Sequence, residues 1–254
     1  MLLHLWPVGW PSLRRSNATL AAAAVASLWL LGAVLAALPD PIGGNAQQFA
    51  EGARTTLWLT LAAGAIGLLL GLLAALARAS RHALLRQAAT FYIWIMRGTP
   101  LLVQILFVYF ALPVLVPGLN LPDFAAAVVA LALNVGAYNA EAIRAGLLAV
   151  PAGQRDAARA LGMNPLHVFV QVVGPQALRV ALPPLVNNFV ALLKDSSLAY
   201  AIGVVELTNV GNRVQAASFQ PVATLATTAC IYLLLTTLVT QFSAALEHRY
   251  DAGR

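Results

Sequence analysis

The sequence predicts an all-α membrane protein, a polytopic helical bundle with about six membrane-spanning helices. Of its 254 residues, 60% are hydrophobic and only 9% are charged, whereas soluble domains carry about 25% charged residues. So few charges could not cover a surface that faces water, but lipid can cover the surface of a bundle in a membrane. The net charge of +6 comes from basic residues in short loops between apolar runs, which indicates membrane topology rather than nucleic-acid binding.

Residues 1–50 are predicted to form an N-terminal tail, one membrane helix and an outer loop. The tail, either an interfacial anchor or disordered chain, ends in Arg14 and Arg15. The apolar run at 18–38 is long enough to cross about 30 Å of hydrocarbon and longer than the core of a signal peptide, which favours a retained helix. Residues 38–54 are predicted to form a loop, because Pro39, Pro41, Gly43 and Gly44 break helices.

Five further spans are predicted after this loop. In the second span, at 55–77, Gly64, Gly67 and Gly71 fall on one face and would let another helix pack closely, although composition alone could also place them there. The third span is the run at 101–116, with an earlier interfacial start as an alternative. The last three are 123–147, 180–193 and 222–246, and a broken, partly polar region from Glu206 to Gln220 precedes the final one.

The distribution of basic residues predicts which loops face the cytoplasm. With the N-terminus inside and six spans, 12 of the 15 Lys and Arg residues fall in cytoplasmic segments. Membrane proteins concentrate Lys and Arg in cytoplasmic loops, so both termini are predicted to be cytoplasmic. The largest cytoplasmic loop is then the polar stretch at 141–179.

The cytoplasmic loop is predicted to contain two short helices joined at a glycine. Asp156 near the start of the first helix suits the helix dipole, and Gly162 with Asn164 and Pro165 would end it. Small alanines would let a partner approach the backbone. Two groups complete the pattern: a charged edge of Arg155 and Arg159, and an apolar side of a second short helix made of Leu166, Phe169, Val170 and Val173. A docking helix and a loop that only covers the bundle both fit these features.

The spacing of this loop resembles the signature loop of membrane subunits of ABC-type importers, Glu-Ala-Ala-x3-Gly-x9-Ile-x-Leu-Pro. In this chain the matching residues are Asp156-Ala157-Ala158, Gly162, Val172, Gly174 and Pro175. Aspartate keeps the charge of glutamate and valine keeps the shape of isoleucine. Gly174 in place of leucine removes an apolar contact and adds flexibility.

Other motifs resemble permeases for polar amino acids, the group that carries histidine, glutamate, glutamine, arginine and opines. They are Arg97-Gly98-Thr99-Pro100-Leu101-Leu102-Val103-Gln104, Glu141 with Arg144, Pro151-x-Gly153-Gln154, Pro175-Gln176-Ala177-Leu178-Arg179 and Lys194-Asp195-Ser196-Ser197-Leu198. The resemblance covers about residues 51–249. It implies a permease domain at 51–250 with a five-helix type I importer core, to which the N-terminal helix is an addition.

The resemblance also implies partner subunits, and it implies that transport and ATP hydrolysis lie on separate chains. Two such permease subunits, identical or homologous, would line a path for polar amino acids that an extracytoplasmic binding protein delivers. Two separate ATPase subunits would bind ATP and magnesium, since this chain has no GxxxxGK phosphate loop and is expected to bind no cofactor or metal and to have no catalytic residue. The coupling loop, at about 148–179, would contact the ATPase through Gln154, Arg155, Asp156, Ala157, Ala158, Arg159, Gly162, Met163, Asn164, Pro165 and Pro175.

Polar residues at membrane depth are candidates for the path itself. Asn134, Tyr138 and Glu141 share one face of the fourth span by their i, i+4, i+7 spacing, and a helix–helix contact or a water-lined wall would fit them as well as substrate contact. Glu141 and Arg144 are predicted to act as a gate or to position the loop. The remaining candidates are Lys194, Asp195 and Ser196, for which structural anchoring competes with ligand contact.

Three alternatives to a polar amino acid permease follow from the same sequence. An ABC permease for another small solute would keep the loop signature and differ only along the path. A passive channel or membrane scaffold would leave the helix–glycine–helix loop unexplained. An intramembrane enzyme is disfavoured because neither HExxH nor GxSxG occurs in the chain.

Overall fold

The computed structural model describes residue 26 and residues 30–251, with side chains up to residue 242. All regular secondary structure in this part of the chain is helical, which confirms the predicted fold class. The helices are α1 (Ala46–Arg78), α2 (Ala83–Gly98), α3 (Leu101–Leu115), α4 (Asp123–Leu148), α5 (Ala152–Ala160), α6 (Pro165–Ile202), α7 (Leu207–Ser218) and α8 (Pro221–Asp251).

Four of these helices, α1, α4, α6 and α8, are long and apolar enough to span a membrane. The chain bends by 111° between α2 and α3, and the pair makes a fifth span if it is counted as one. The first predicted span, 18–38, falls largely outside the described residues. Its described end is helical at 30–36, where Leu31 and Leu35 are buried beside Phe49 of α1 and Leu235 of α8. This end of the extra helix therefore packs against the bundle.

The packing of α1 against α4 forms the centre of the bundle, and α4 is the most buried of the four spans. The glycines predicted to share a face of α1 are all buried. A Cβ atom at Gly67 would collide with Val135 Cγ1, and one at Gly71 would lie 2.6 Å from the Cβ of Asn139. Gly64, one turn earlier, instead accommodates the ring of Phe189 from α6. The prediction of close helix packing is thus confirmed.

The start of α1 differs from the prediction of a loop at 38–54. The helix begins at Ala46, so nine residues of that stretch, 46–54, are helical. The reason is tertiary packing: Phe49 and Ala53 are fully buried beside Leu207 and Val210 of α7. Pro39, Pro41, Gly43 and Gly44 form turns only in the residues before this helix.

The second short helix predicted in the cytoplasmic loop is also different in the structure. It is the first part of α6, a helix of 38 residues that continues into the membrane. A π-helical segment, Val168–Val173, precedes Gly174 and Pro175. A Cβ atom at Gly174 would lie 2.9 Å from the carbonyl oxygen of Phe169, so glycine fits this wider turn better than the leucine of the signature.

The predicted broken region before the last span contains a regular helix, α7, that Glu206 holds in place. The Glu206 carboxylate accepts hydrogen bonds of 2.8 Å from the backbone N–H groups of Thr208 and Asn209, and one of 2.8 Å from the hydroxyl of Tyr232 on α8. Burial raises the pKa of this carboxyl above its usual range, although the three donors act in the opposite direction. Glu206 therefore serves as the N-cap of α7 and fastens it to α8.

The α1–α4 contact predicts that Gly67→Ala destabilises the protein. The added methyl would overlap Val135 and force the two helices apart, at a cost of about 1–3 kcal/mol. We expect a lower Tm for the detergent-solubilised variant. Gly98→Ala is the matched control, because a Cβ atom there meets no atom within 4 Å. Equal Tm values for the two variants would contradict the packing described here.

Candidate functional site

The loop between α4 and α6, which the sequence predicts to be cytoplasmic, is built around the short helix α5. A Schellman motif ends this helix: the N–H of Gly162 donates to the carbonyl of Arg159 at 2.9 Å, and the N–H of Met163 to that of Ala158 at 3.2 Å. Gly162 has a φ of +78°, a conformation that glycine adopts without the penalty a side chain would bring. The predicted end of the helix at Gly162 is thus confirmed.

The next helix starts at once, because Asn164 caps it. The side-chain oxygen of Asn164 accepts a hydrogen bond of 2.9 Å from the N–H of His167, and Pro165 occupies the first helical position. Pro175 lies ten residues further along α6, directly after the π-helical segment. Helix α5 therefore ends and helix α6 begins at defined residues, with no flexible linker between the two helices.

Three contacts fasten α5 to the membrane helices on either side. Ala158 is 5% exposed and packs in an apolar cluster with Val150, Val168 and Met163. The Arg155 guanidinium donates to the carbonyl of Val150 at 3.0 Å. The side-chain amide of Gln176 on α6 donates to the amide oxygen of Gln154. Because α5 is joined to the end of α4 and the start of α6, it can transmit a displacement to both.

The outward face of α5 consists of Asp156, Ala157, Arg159 and Ala160, which are all exposed. Asp156 and Arg159 form a loose ion pair, with Oδ1 and Nη1 3.8 Å apart. Arg155 does not join Arg159 in a charged edge, as the sequence had indicated, because it turns to the Val150 carbonyl. Ala158 likewise faces the chain's own core, so Ala157 and Ala160 are the alanines of the second half of α5 that a partner could reach.

Two leucines at the tip of the loop extend this face. Leu161 is 83% exposed and Leu166 is 68% exposed. Leu161 was not among the residues predicted to contact a partner. The apolar side predicted for the second helix is split, since Val173 is buried whereas Phe169 and Val170 are exposed. In the π-helical segment Val168 and Val173, five residues apart, share the buried face, which a 3.6-residue period does not predict.

Glu141 forms an ion triad where α1 and α4 approach their predicted cytoplasmic ends. One carboxylate oxygen accepts hydrogen bonds from Arg144, at 2.6 Å from Nη2 and 3.0 Å from Nε, and the other pairs with Arg78 of α1. The sequence had paired Glu141 with Arg144 and did not identify Arg78. The triad joins the end of α1 to α4, seven residues before the end of that helix.

A cavity of about 430 Å³ opens at the break between α2 and α3. Five polar residues line it, one or two from each neighbouring element: Thr99, Asn134, Tyr138, Asn188 and Asp195. Apolar residues of α3, α4 and α6 complete the wall. Concave sites with few polar groups on a mostly apolar wall are typical of small-molecule binding.

Hydrogen bonds from Gln104 and Asn134 stabilise the break itself. The Gln104 amide donates to the carbonyls of Met96, at 2.8 Å, and Thr99, at 3.1 Å. Asn134 donates to the Met96 carbonyl at 3.2 Å and to the side-chain oxygen of Gln104 at 3.0 Å. These amides satisfy carbonyls that the bend removes from the helix ladder. Asn134 thus has a structural task besides lining the cavity.

The other candidate path residues separate into two groups. Tyr138 and Asp195 line the cavity, and the Arg97 guanidinium lies 5.2 Å from the centre of the Tyr138 ring. Lys194 is exposed and does not line the cavity, and Ser196 is fully buried with its hydroxyl donating to the Leu193 carbonyl at 2.7 Å. Asn188, which donates to the side chain of Asn139 at 3.0 Å, was missed, although a polar residue in an apolar run is a signal for it.

Comparison with known proteins places this architecture in a family. The glutamine transport system permease protein GlnP of Escherichia coli is 40% identical over 199 residues, which cover 78% of this chain and 91% of that protein. The L-cystine transport system permease protein TcyB of Bacillus subtilis is 38% identical over 197 residues, which cover 77% and 83% of the two chains. A crystal structure of an amino acid ABC transporter with histidines has 39% identity and a TM-score of 0.74, covering 80% of this chain and 94% of that one.

The family described as binding-protein-dependent transport system inner membrane component matches residues 67–252. This range includes α5, the ion triad and every polar residue of the cavity. On this match and these relatives, the chain belongs to the family of binding-protein-dependent transport system inner membrane components, the membrane-spanning subunits of ABC importers.

Proposed function

We propose that this chain is the permease subunit of an ATP-driven importer for polar amino acids delivered by an extracytoplasmic binding protein. Its relatives are named for glutamine and L-cystine, and another, 40% identical over 191 residues, is named for octopine. All three solutes carry charged amino and carboxyl groups together with further polar atoms. These relatives, which share most of the chain, support polar amino acids as the substrate class.

The observation that supports the proposal is the way in which α5 is attached to the rest of the chain. The exposed residues Ala157 and Ala160 lie on a helix that is bonded to the turn after α4 at Val150 and to α6 at Gln176. Such a helix suits the transfer of movement from a cytoplasmic ATPase into the bundle. Two ATPase subunits, which would hold ATP and magnesium, and a second permease subunit complete the proposed transporter in the cell membrane, with both termini of this chain in the cytoplasm.

We assign the ion triad a positioning role for the loop. Glu141 links Arg78 of α1 to Arg144, and Arg144 lies four residues before the end of α4. The mostly buried carboxylate binds both guanidinium groups and fixes the end of α4 from which the loop departs. Movement of α5 would then reach α1 as well as α6.

The cavity is the place where we expect substrate contact. An amino acid needs an acceptor for its ammonium group, and Asp195 is the carboxylate in the cavity wall. Tyr138 and Asn188 offer a hydroxyl and an amide on the facing helices α4 and α6. Because the cavity lies at a break stabilised by Gln104 and Asn134, a change in the bend would alter its size.

Ala157→Trp is predicted to uncouple the ATPase while the chain still folds. Ala157 is exposed, so a large side chain harms no packing within this subunit but would block a partner that approaches the backbone. We expect near-normal yield and Tm, and at least about a tenfold loss of transport-linked ATP hydrolysis in reconstituted vesicles, as for a blocked interface centre. Ala216→Trp, at an exposed alanine of α7, is the control and should keep activity. Equal activity of both variants would contradict the assignment of α5.

Glu141→Gln is predicted to loosen the ends of α1 and α4. The neutral amide cannot attract the two arginines as the carboxylate does, and for these partly exposed side chains the loss is about 1 kcal/mol. We expect roughly fivefold faster hydrogen–deuterium exchange of the amides at residues 72–78 and 145–150, by the link between local opening and stability. Glu51→Gln, at the exposed opposite end of α1, should leave these amides unchanged. Unchanged exchange in Glu141→Gln would show that the triad does not position the loop.

Asp195→Asn is predicted to weaken uptake without affecting ATPase association. The amide cannot balance the charge of a substrate ammonium group, and a hydrogen bond to a charged group contributes about 1.5–3 kcal/mol. We expect the KM for uptake to rise by about tenfold or more, with the ATPase still co-purifying. Lys194→Gln removes the neighbouring charge outside the cavity and should leave KM near the wild-type value. If Lys194→Gln has the larger effect, the substrate does not contact Asp195.

A further inference from the structure

A second concave site, outside the path and the loop, lies between the end of α1 and the outer face of α2. Its volume is about 530 Å³, and it is lined by Arg78, Arg86, Gln87, Thr90, Phe91 and Trp94. The α2 residues fall at i, i+1, i+4, i+5 and i+8, so they form one stripe along that helix. The opposite side of α2, with the buried residues Ala89 and Ile93, packs against the bundle.

The polar part of this groove has an excess of positive charge. Arg78 and Arg86 contribute two guanidinium groups, and no acidic residue lines the groove. Among the described residues no ion pair involves Arg86, whereas Arg78 is paired with Glu141. Guanidinium groups bind phosphate oxygens in bidentate fashion. Gln87 adds a side-chain amide donor, and the Thr90 hydroxyl, which donates to the Arg86 carbonyl at 2.8 Å, is left as an acceptor. The groove therefore suits a phosphate group.

The apolar part indicates that this phosphate belongs to a lipid. Trp94 is 68% exposed and Phe91 is 61% exposed, with ring centres 5.9 Å apart. Leu84 and Leu85, about two turns before Phe91 on α2, are 78% and 51% exposed. Exposed aromatic rings beside arginines are typical of the membrane–water interface. The charge distribution predicts that this end of α1 is cytoplasmic, and that leaflet is the one in which anionic lipids attract basic segments.

We propose that this groove binds the phosphodiester headgroup of an anionic phospholipid such as phosphatidylglycerol. Arg86 and Arg78 contact the phosphate, Gln87 and Thr90 contact the polar headgroup, and Phe91 and Trp94 pack against the first part of the acyl chains. Since Arg78 also pairs with Glu141, the headgroup lies beside the ion triad that joins α1 to α4. The lipid is thereby placed where it can support the geometry of the cytoplasmic loop.

The test is native mass spectrometry of the purified transporter, with its ATPase subunits, titrated with phosphatidylglycerol or phosphatidylcholine. The wild type is expected to retain phosphatidylglycerol preferentially. Arg86→Gln should lower this preference about fivefold, the change that the loss of one arginine near an anionic surface brings. Arg86→Lys, which keeps the charge and loses the bidentate geometry, should retain part of the preference. Arg86 is exposed and unpaired in the described structure, so its replacement should not affect folding.

Arg81→Gln is the matched control, since Arg81 is exposed in the turn between α1 and α2 and does not line the groove. An unchanged preference in this variant, with a reduced one in Arg86→Gln, supports the site. If both variants lose the preference for phosphatidylglycerol equally, the preference comes from general surface charge and the proposal is wrong. The proposal is also wrong if neither variant loses the preference. A competition experiment with inorganic phosphate distinguishes a lipid from a soluble anion. If an equal concentration of phosphate displaces phosphatidylglycerol, the groove binds a soluble anion and the lipid proposal is wrong.

Discussion

The direct contact between the backbones of α1 and α4 is the constraint on which the rest of the structure depends. Gly67 and Gly71 leave no room for side chains where α4 crosses them at Val135 and Asn139. In lipid there is little hydrophobic drive for helices to associate, so close packing of small residues has to hold them together. With α1 in this position, Arg78 reaches Glu141, and Tyr92 of α2 donates to the Leu133 carbonyl at 2.7 Å. The cavity and the ion triad are both arranged on the helix that this contact fixes.

A second close approach connects the loop to the cavity. A Cβ atom at Gly146 on α4 would collide with the carbonyl of Ala177 on α6 and lie 2.9 Å from the Cβ of Ala181, so these two helices also touch where the loop departs. From there α6 continues to Asn188 and Asp195 in the cavity wall. Since α6 runs as one helix from the loop to the cavity, a displacement of its loop end can reach the cavity through this helix. The π-helical segment and Pro183 and Pro184 are the positions on α6 where bending is easiest.

Features that depend on local chemistry could be predicted from the sequence, whereas features that depend on tertiary packing could not. The bounds of α4 and the stop at Gly162 follow from a long apolar run and from a glycine at a helix end, and the structure has both. The helical stretch at 46–54 could not be read from turn residues, because Phe49 and Ala53 are held by α7, which is distant in sequence. In the loop, the i, i+4 spacing placed Arg155 and Arg159 on one edge, but the free carbonyl of Val150 attracts Arg155. The π-helical period likewise changed which residues of α6 are buried.

The central claim is that α5 is the surface through which this chain contacts an ATPase, and site-specific photo-crosslinking tests it most directly. A photoreactive amino acid at Ala160, on the exposed face of α5, would be activated in membranes and the product identified by mass spectrometry. We expect a crosslink to a cytoplasmic ATPase subunit from Ala160 and none from Ala216 on α7. An ATPase crosslink from Ala216 alone, or products from Ala160 that contain only lipid, would contradict the account.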